Sequence, residues 1–416
     1  MKKYIWPFLA LSLSFCEEKT NPPEPVLPVP SERQIAWQEL EFYGFVHFNM
    51  NTFSDREWGF GDEKPEQFNP TDLDARQWAR IAKEAGMKGL IITAKHHDGF
   101  VLWPSAYTEH SVKNSPWRDG KGDLIREFVD ACREYGLKVG IYYSPWDRNH
   151  PDYGKPEYIT YMRNQLTELL SNYGEIFEVW FDGANGGTGW YGGANEERKV
   201  DKFTYYDWPT THALVRDLQP GAMLFSDAGP DVRWVGNEHG FAYETTWSNL
   251  MRDSVYAGMP EYADHWASGQ ENGTHWVPAE SDVSIRPGWY YHAYEDHKVR
   301  SLPELMEIYY KSIGQNSSLL INFPVDTRGL IHEKDEAAIL EMAAKIKEDF
   351  ANNLAKGATF SASSDRGKGY RAELLSDGDF NTYWTTPDGQ LEASVEVDFG
   401  KSETFNRILI QEFVNL

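Results

Sequence analysis

The chain has 416 residues, 41% hydrophobic and 25% charged, which provides for one large folded domain and a smaller second one. A net charge of −24 leaves no basic face for nucleic acid or an anionic membrane surface and excludes both as partners, whereas a neutral substrate fits. Aromatic residues reach 15%, with 16 Trp and 23 Tyr, whose flat faces suit sugar rings and equally suit the interior of a large barrel.

At the N-terminus, Met1-Lys2-Lys3 precedes an apolar run over residues 4–15. This reads as an export signal, and it is too short to span a membrane. Leu13-Ser14-Phe15-Cys16 resembles a lipoprotein signal, in which Cys16 is lipidated, although Phe15 stands where a small residue is usual. Glu17-Glu18 resembles the acidic tag of surface-displayed lipoproteins. The expected location is the outer membrane or periplasm of a Gram-negative bacterium, with membrane contact only through the lipid. Five prolines between Asn21 and Pro30 make residues 16–31 an extended tether.

From there apolar strands alternate with amphipathic helices, as a βα repeat requires. Strands are expected at residues 42–49, 89–94, 138–143, 176–181 and 222–227, with later ones at 278–283 and 319–323. Helices are expected at residues 74–85, where Trp78, Ile81, Ala82 and Ala85 share a face, and at 123–135, 158–173, 209–218, 303–314 and 331–350. Gly86 and Gly136 end the first two. Cys132 falls on the apolar face of its helix and reads as a core thiol. Residues 183–207 form a Gly-rich loop, and the pattern blurs after residue 227. The fold expected over residues 32–350 is an α/β, TIM-like (β/α)8 barrel.

The composition changes after Asn353. Asn353-Leu354-Ala355-Lys356-Gly357-Ala358 and Asp377-Gly378-Asp379-Phe380-Asn381-Thr382-Tyr383-Trp384 resemble the opening of a discoidin-type (F5/8 C) β-sandwich. That resemblance implies a partial carbohydrate-binding module over residues 351–416, with a structural calcium as its possible ion.

The chemistry-bearing residues cluster at strand ends. Ile176-Phe177-Glu178-Val179-Trp180-Phe181 is a buried strand closed by Asp182-Gly183. A carboxylate at the C-terminal end of a barrel strand is where such folds keep reactive groups, while an Asp that caps or turns the chain is the plainer alternative. Ala94-Lys95-His96-His97-Asp98-Gly99-Phe100 follows the second strand, and His47 ends the first. Adjacent side chains diverge on a strand and no further His or Cys completes a set, so hydrogen bonding to hydroxyls is favoured over metal ligation. The alternative for each is a core histidine satisfied by backbone carbonyls.

Together, His47-Phe48-Asn49-Met50-Asn51-Thr52-Phe53, Glu57-Trp58-Gly59, Phe68-Asn69-Pro70, the run 94–100 and Trp180-Phe181-Asp182-Gly183 resemble glycoside hydrolase family 29, the retaining α-L-fucosidases. The segments at residues 229–238 and 278–290 resemble its subgroup selective for branched α-1,3/1,4-linked fucose. The resemblance implies a secreted exo-fucosidase acting on fucosylated oligosaccharides or glycoconjugates such as Lewis-type glycans, without a catalytic cofactor or metal. Its alternatives are a broad-specificity fucosidase, a transfucosidase, or a non-catalytic carbohydrate-binding barrel.

Retention needs two carboxyl groups about 5 Å apart. The resemblance implies Asp182 as nucleophile. Glu238, in the loop after the fifth strand, is the favoured acid/base, with Glu280 as the alternative. His47, His96 and His97 are expected to hold fucose hydroxyls, with Glu57 and Trp58 assisting. Trp146 and Trp289 are expected to stack on fucose or its methyl group, and Trp180 to pack on the sugar from the same side as Asp182. Asp282 and Arg286 are read as contacts to the sugar beyond the cleaved bond, with a salt bridge inside the loop as the equal alternative for Arg286.

Overall fold

The structure, a computed structural model, describes residues 20–415. The expected export signal and Cys16 lie outside the described residues. The chain divides into two compact units, Leu27–Ala351 and a second that joins residues 352–415 to the segment ending at Val26.

The larger unit is built on eight parallel strands: β1 Phe42–His47, β2 Gly89–Lys95, β3 Lys138–Tyr143, β4 Glu178–Phe181, β5 Met223–Ser226, β6 Val232–Trp234, β7 Ala279–Ser284 and β8 Ser317–Pro324. Each pairs with its neighbour in sequence, and β8 returns to β1 to close the barrel. Strands covered on both faces read as unbroken apolar runs rather than alternating ones, and β1, β2 and β8 are buried at every position. The helices outside include α1 Glu32–Gln38, α2 Ala75–Glu84, α3 Leu124–Glu134, α4 Pro156–Asn172, α5 Trp208–Leu218, α6 Leu302–Ser312 and α7 Glu333–Asp349. Asp74 and Asp123 cap α2 and α3, their carboxylates accepting the Arg76 and Arg126 amides at 3.0 Å.

Two apolar layers hold this unit. Val46, Leu90, Ile92, Ile141, Val179 and Ile321 face outward against Trp78, Ile81, Phe128, Leu166 and Ile308. Cys132 lies fully buried in this layer, as expected of a core thiol. Tyr43, Phe45, Ile91, Tyr142, Trp180, Phe225 and Leu320 fill the barrel interior. Each fully buried large side chain contributes about 1.5–3 kcal/mol of transfer free energy. Helix α1, not expected from the sequence, plugs the N-terminal end. Its Trp37 indole donates to Glu178 at 2.9 Å, and its Gln34 amide donates to the Trp276 carbonyl at 2.6 Å.

The regular repeat fails between β5 and β7. Residues 229–238, read from sequence as a loop after the fifth strand, contain β6, so Glu238 follows the sixth strand. A tight turn around Gly229-Pro230 replaces the helix between β5 and β6. The excursion of residues 235–278 then carries a two-residue ladder, the 3-10 helix Arg252–Ser254 and the short helix Tyr262–His265. Three strand residues give no periodicity to detect. The Gly-rich loop also has order of its own, an antiparallel hairpin of Gly186–Gly189 with Glu196–Lys199.

The smaller unit pairs Thr359–Ala362 antiparallel with Val395–Asp398 and carries the 3-10 helix Ala372–Ser376. Among the described residues of this unit, this two-stranded ladder is the only sheet. The turn at Asp377 engages its own carboxylates: Asp377 accepts the Asp379 amide at 2.9 Å and the Thr382 hydroxyl at 2.7 Å, and Asp379 accepts the Asn381 amide at 2.9 Å. Among the described residues no cluster of three His, Cys, Asp or Glu side chains is arranged to hold a metal ion.

Candidate active site

Asp182 is the residue after β4, at the C-terminal mouth of the barrel, and 29% of its side chain is exposed. Its Oδ2 accepts the Tyr142 hydroxyl at 2.9 Å, and its Oδ1 accepts the Ala184 amide at 2.9 Å. A Cβ on Gly183 would lie 2.6 Å from Asp227 Oδ2, so a glycine is what lets the two neighbouring strand ends come together. Asp227, just past β5, accepts the Gly258 amide at 2.7 Å on Oδ2, while its buried Oδ1 has no partner. Burial, opposed by that amide and reinforced by the charge of Asp182, pushes its carboxyl up to about 6.

The three histidines converge beside Asp182. His47 and His96 ring centres lie 6.0 Å apart, His96 and His97 4.1 Å apart, and His96 stacks on Tyr142 at 5.5 Å. His97 Nε2 is 3.8 Å from Asp182 Oδ2. Burial drives all three imidazoles towards the neutral form, His47 down to about 3, His97 to about 4 and His96 well below its ordinary value. They are bonded by side chains rather than by the backbone carbonyls of the plainer alternative: Asn322, Asn51 and Ser144.

Glu238 lies at the rim, exposed as a residue. Its carboxyl is nonetheless raised, by local burial first and then by the charges of Asp182 and Glu57, against a hydrogen bond donated by the Trp289 indole. Trp289 also places its ring 5.2 Å from His47. Glu57 holds the loop that carries Trp289: its carboxylate accepts the amides of Trp289 at 2.9 Å and Tyr290 at 3.2 Å. A Cβ on Gly288 would fall 2.6 Å from Glu57 Oε1, so the loop requires glycine there. His292 bridges Asp55 at 2.5 Å and Glu57 at 2.8 Å, one carboxylate on each ring nitrogen, and these partners raise it against burial.

Aromatic side chains form one wall. Trp58, 57% exposed, stands edge-on to His97 at 5.3 Å and to Trp146 at 5.8 Å. Trp146 is buried and donates to Tyr191 Oη at 3.0 Å, which ties the wall to the Gly-rich hairpin. Trp180 is below the mouth rather than in it. It stacks on Phe225 at 4.0 Å and Tyr142 at 5.4 Å and donates its indole N–H to Glu280 at 2.7 Å.

Two expected contacts lie away from the mouth, and a third is buried within it. Glu280 is fully buried in the barrel interior, bonded to Tyr43, Trp180 and Glu178, where neither substrate nor solvent reaches it. Arg286 takes the salt-bridge alternative, with both Asp335 oxygens within 2.9 Å of Nε and Asp296 at 2.8 Å from Nη1. Asp282 is buried inside the mouth and accepts the Trp234 indole at 2.8 Å; burial and the charges of Glu238 and Glu280 hold its carboxyl well up. Sequence reasoning passed over Tyr142, Ser144, Asn51, Asn322, Asp227 and His292. Asp227 alone carried a signal, since it ends an apolar strand just as Asp182 does. A cleft of about 330 Å³, lined in part by Leu40, Phe42, Gly86 and Lys88, opens at the opposite end of the barrel, remote from all these groups.

Known proteins share this arrangement of elements. The profile of the family described as Alpha-L-fucosidase matches residues 29–349. Alpha-L-fucosidase 1 of Arabidopsis thaliana is 43% identical over 401 residues, 95% of this chain and 76% of that protein. A solved glycoside hydrolase 29 family member from an unknown rumen bacterium is 55% identical with a TM-score of 0.79, over 83% of this chain; the chain spans 63% of that protein's length. A Ruminococcus gnavus GH29 fucosidase in complex with fucose is 33% identical with a TM-score of 0.79, over 90% of this chain and 79% of that one.

Proposed function

The chain belongs to the α-L-fucosidase family, glycoside hydrolase family 29, and from that premise we propose that it hydrolyses terminal α-1,3/1,4-linked fucose from Lewis-type glycans with retention of configuration. The observation that carries this reading is the pairing of a strand-end carboxyl, Asp182, open to solvent at the mouth, with a rim carboxyl, Glu238, whose hold on its proton is raised by burial and by the charge of Asp182. An acid must hold its proton, and the surroundings of Glu238 push its carboxyl in that direction.

In the first step an Asp182 oxygen bonds to the anomeric carbon as the glycosidic bond breaks, and Glu238 gives its proton to the departing oxygen. The ester leaves Asp182 neutral, so Glu238 loses the repulsion that held its proton. In the second step it takes a proton from water as that water's oxygen attacks the same carbon, the ester bond breaks, and Asp182 leaves as its carboxylate. His47, His96 and His97 receive the sugar hydroxyls. Trp58, Trp146 and Trp289 offer apolar surface to the fucose methyl, which is worth about 1 kcal/mol against a sugar without that fit.

The branched linkage is supported by the segments 229–238 and 278–290, which supply β6, Glu238 and the Trp289 loop around the mouth. The barrel-mouth carboxyl pair weighs against a non-catalytic binding protein, which has no need of both. Lipid anchoring at Cys16 and carbohydrate binding by residues 351–416 belong to the same proposal and rest on sequence resemblance. Initial rates on Lewis-a or Lewis-x trisaccharide and on 4-nitrophenyl fucoside test the reading. Fast trisaccharide cleavage with a poor aryl response is expected. The reverse preference moves the enzyme to broad specificity, and fucosyl transfer to acceptor sugars in place of hydrolysis makes it a transfucosidase.

A further inference from the structure

The second nitrogens of the three pocket histidines are held by groups whose own orientation is set by backbone partners. Asn322 Oδ1 accepts the His47 backbone amide at 3.2 Å, and its Nδ2 donates to the Trp289 carbonyl at 2.9 Å. The Oδ1 that faces His47 Nδ1 at 2.7 Å is therefore an acceptor, and the imidazole carries its proton on Nδ1. Asn51 is set the opposite way. Its Oδ1 accepts the Gly59 amide at 2.8 Å and its Nδ2 donates to the Glu57 carbonyl at 3.1 Å, so the same Nδ2 donates to His96 Nδ1 at 3.0 Å. His96 consequently carries its proton on Nε2. Ser144 gives its hydroxyl proton to the Trp146 carbonyl at 2.8 Å, so its oxygen accepts from His97 Nδ1 at 2.7 Å.

No described protein group bonds Nε2 of His47 or His96, and none of the three Nε2 atoms is sealed from solvent. Asn51, Ser144 and Asn322 are all fully buried, so water does not compete for these contacts. We infer that Asn322, Asn51 and Ser144 are positioning residues that lock His47, His96 and His97 into a fixed acceptor–donor–acceptor set at Nε2. The inference rests on the reading of this mouth as a fucose site, and deepens it by stating which hydroxyl roles the site demands. Two incoming groups must donate, to His47 and His97, and one must accept, from His96. His97 Nε2, an acceptor in this set, lies 3.8 Å from Asp182 Oδ2, which already accepts the Tyr142 hydroxyl at 2.9 Å. A run of neutral hydroxyls meets the set, because a hydroxyl both donates and accepts. An anionic sugar meets two lone pairs and Asp182, and is rejected. Burial keeps the imidazoles neutral, which preserves the pattern across the working pH range.

The test is long-range proton–nitrogen NMR on the full chain labelled with ¹⁵N-histidine, each signal identified by its loss in the single His→Gln variant. The expected result is the Nδ1–H form for His47 and His97, the Nε2–H form for His96, and no imidazolium signal for any of them from about pH 5 to pH 8. Asn51→Asp replaces the donor with an acceptor. It should move the His96 proton to Nδ1, leave the other two unchanged, and weaken fucose binding about 10- to 100-fold. Nδ1–H on His96 in the unsubstituted protein, or an unchanged His96 in Asn51→Asp, overturns the inference. Should Asn51→Asp not fold, Ser144→Ala decides: it should release His97 into a mixture of tautomers, and an unmoved His97 overturns the role of Ser144. Fucose that leaves all three Nε2 signals unshifted, with the tautomers as stated, refutes the fucose reading and not this one.

Discussion

Two carboxyl pairs occupy the same barrel at different depths, one drawing a member from β4 and the other from the residue that follows β4. Glu178 and Asp182 are four residues apart and face the interior. The lower pair, Glu178 with Glu280, is fully buried beneath the α1 plug. Glu280 accepts from the Tyr43 hydroxyl, from the Trp180 indole at 2.7 Å, and from Glu178, whose proton burial retains. The upper pair, Asp182 with Glu238, opens to solvent at the mouth. One chemical group thus serves two ends. Sealed and surrounded by donors, a carboxyl pair binds strands β1, β4 and β7 together. Placed at the open mouth, it stays within reach of solvent and, in the proposed reading, supplies the nucleophile and the acid. Position on the strand is not enough to tell the two apart; access to solvent is.

The comparison breaks most sharply at Asp182. Asp182→Ala should lower kcat/KM on the order of 10⁴-fold, with azide rescue giving the β-fucosyl azide. Glu238→Ala should cost about 10²- to 10⁴-fold, less on aryl fucosides whose leaving group needs no proton, and rescue should give the α-azide. Its raised carboxyl must hold a proton to act, so activity should fall as pH rises through that raised value, and this alkaline limb of the pH–rate profile should vanish in the variant. Wild-type behaviour of Glu238→Ala in both assays removes it from the chemistry.

The lower pair should respond in stability instead. Glu280→Ala leaves Tyr43, Trp180 and Glu178 without their acceptor and should cost about 2–4 kcal/mol in denaturant unfolding, with KM little changed. Glu280 is pushed up to about 7 in the folded chain, chiefly by burial, from an ordinary value of 4.5. The folded state then binds more protons than the unfolded one in that window. Stability should therefore be greatest below it and fall as pH rises through it, by at most about 1.4 kcal/mol per unit from this group. Glu280→Gln should flatten that slope; an unchanged slope dissociates the pair from acid–base linkage. The smallest effect is expected at His292. Held between Asp55 and Glu57, its imidazole is raised, so the contact is complete below the ordinary histidine range and is lost as pH rises through the raised value. His292→Gln should loosen the Trp289 loop and raise KM modestly with kcat nearly unchanged. A kcat loss without a KM change contradicts a purely positioning role.

The sequence alone determined the architecture and the main chemical residues. Unbroken apolar runs such as β2 and β8 announce strands covered on both faces, and capped amphipathic patterns such as α2 and α3 announce the helices between them, because both signals are local. His47, His96, His97 and Asp182 were legible as strand-end residues for the same reason. Tertiary structure alone decided depth and partner. Glu280 and Asp282 sit two residues apart on one strand; only the closed barrel puts Glu280 under Trp180 and Asp282 beside Trp234. Arg286 finds Asp335, 49 positions away, across the barrel surface. β6 is too short to carry a period and becomes a strand because β5 and β7 leave it a slot. The tautomers of the three histidines follow from Asn51, Ser144 and Asn322, which lie near one another only once β1, β3 and β8 close the ring. Hydrogen-bond roles and solvent access are properties of surroundings, and in a barrel those surroundings come from strands distant in the chain.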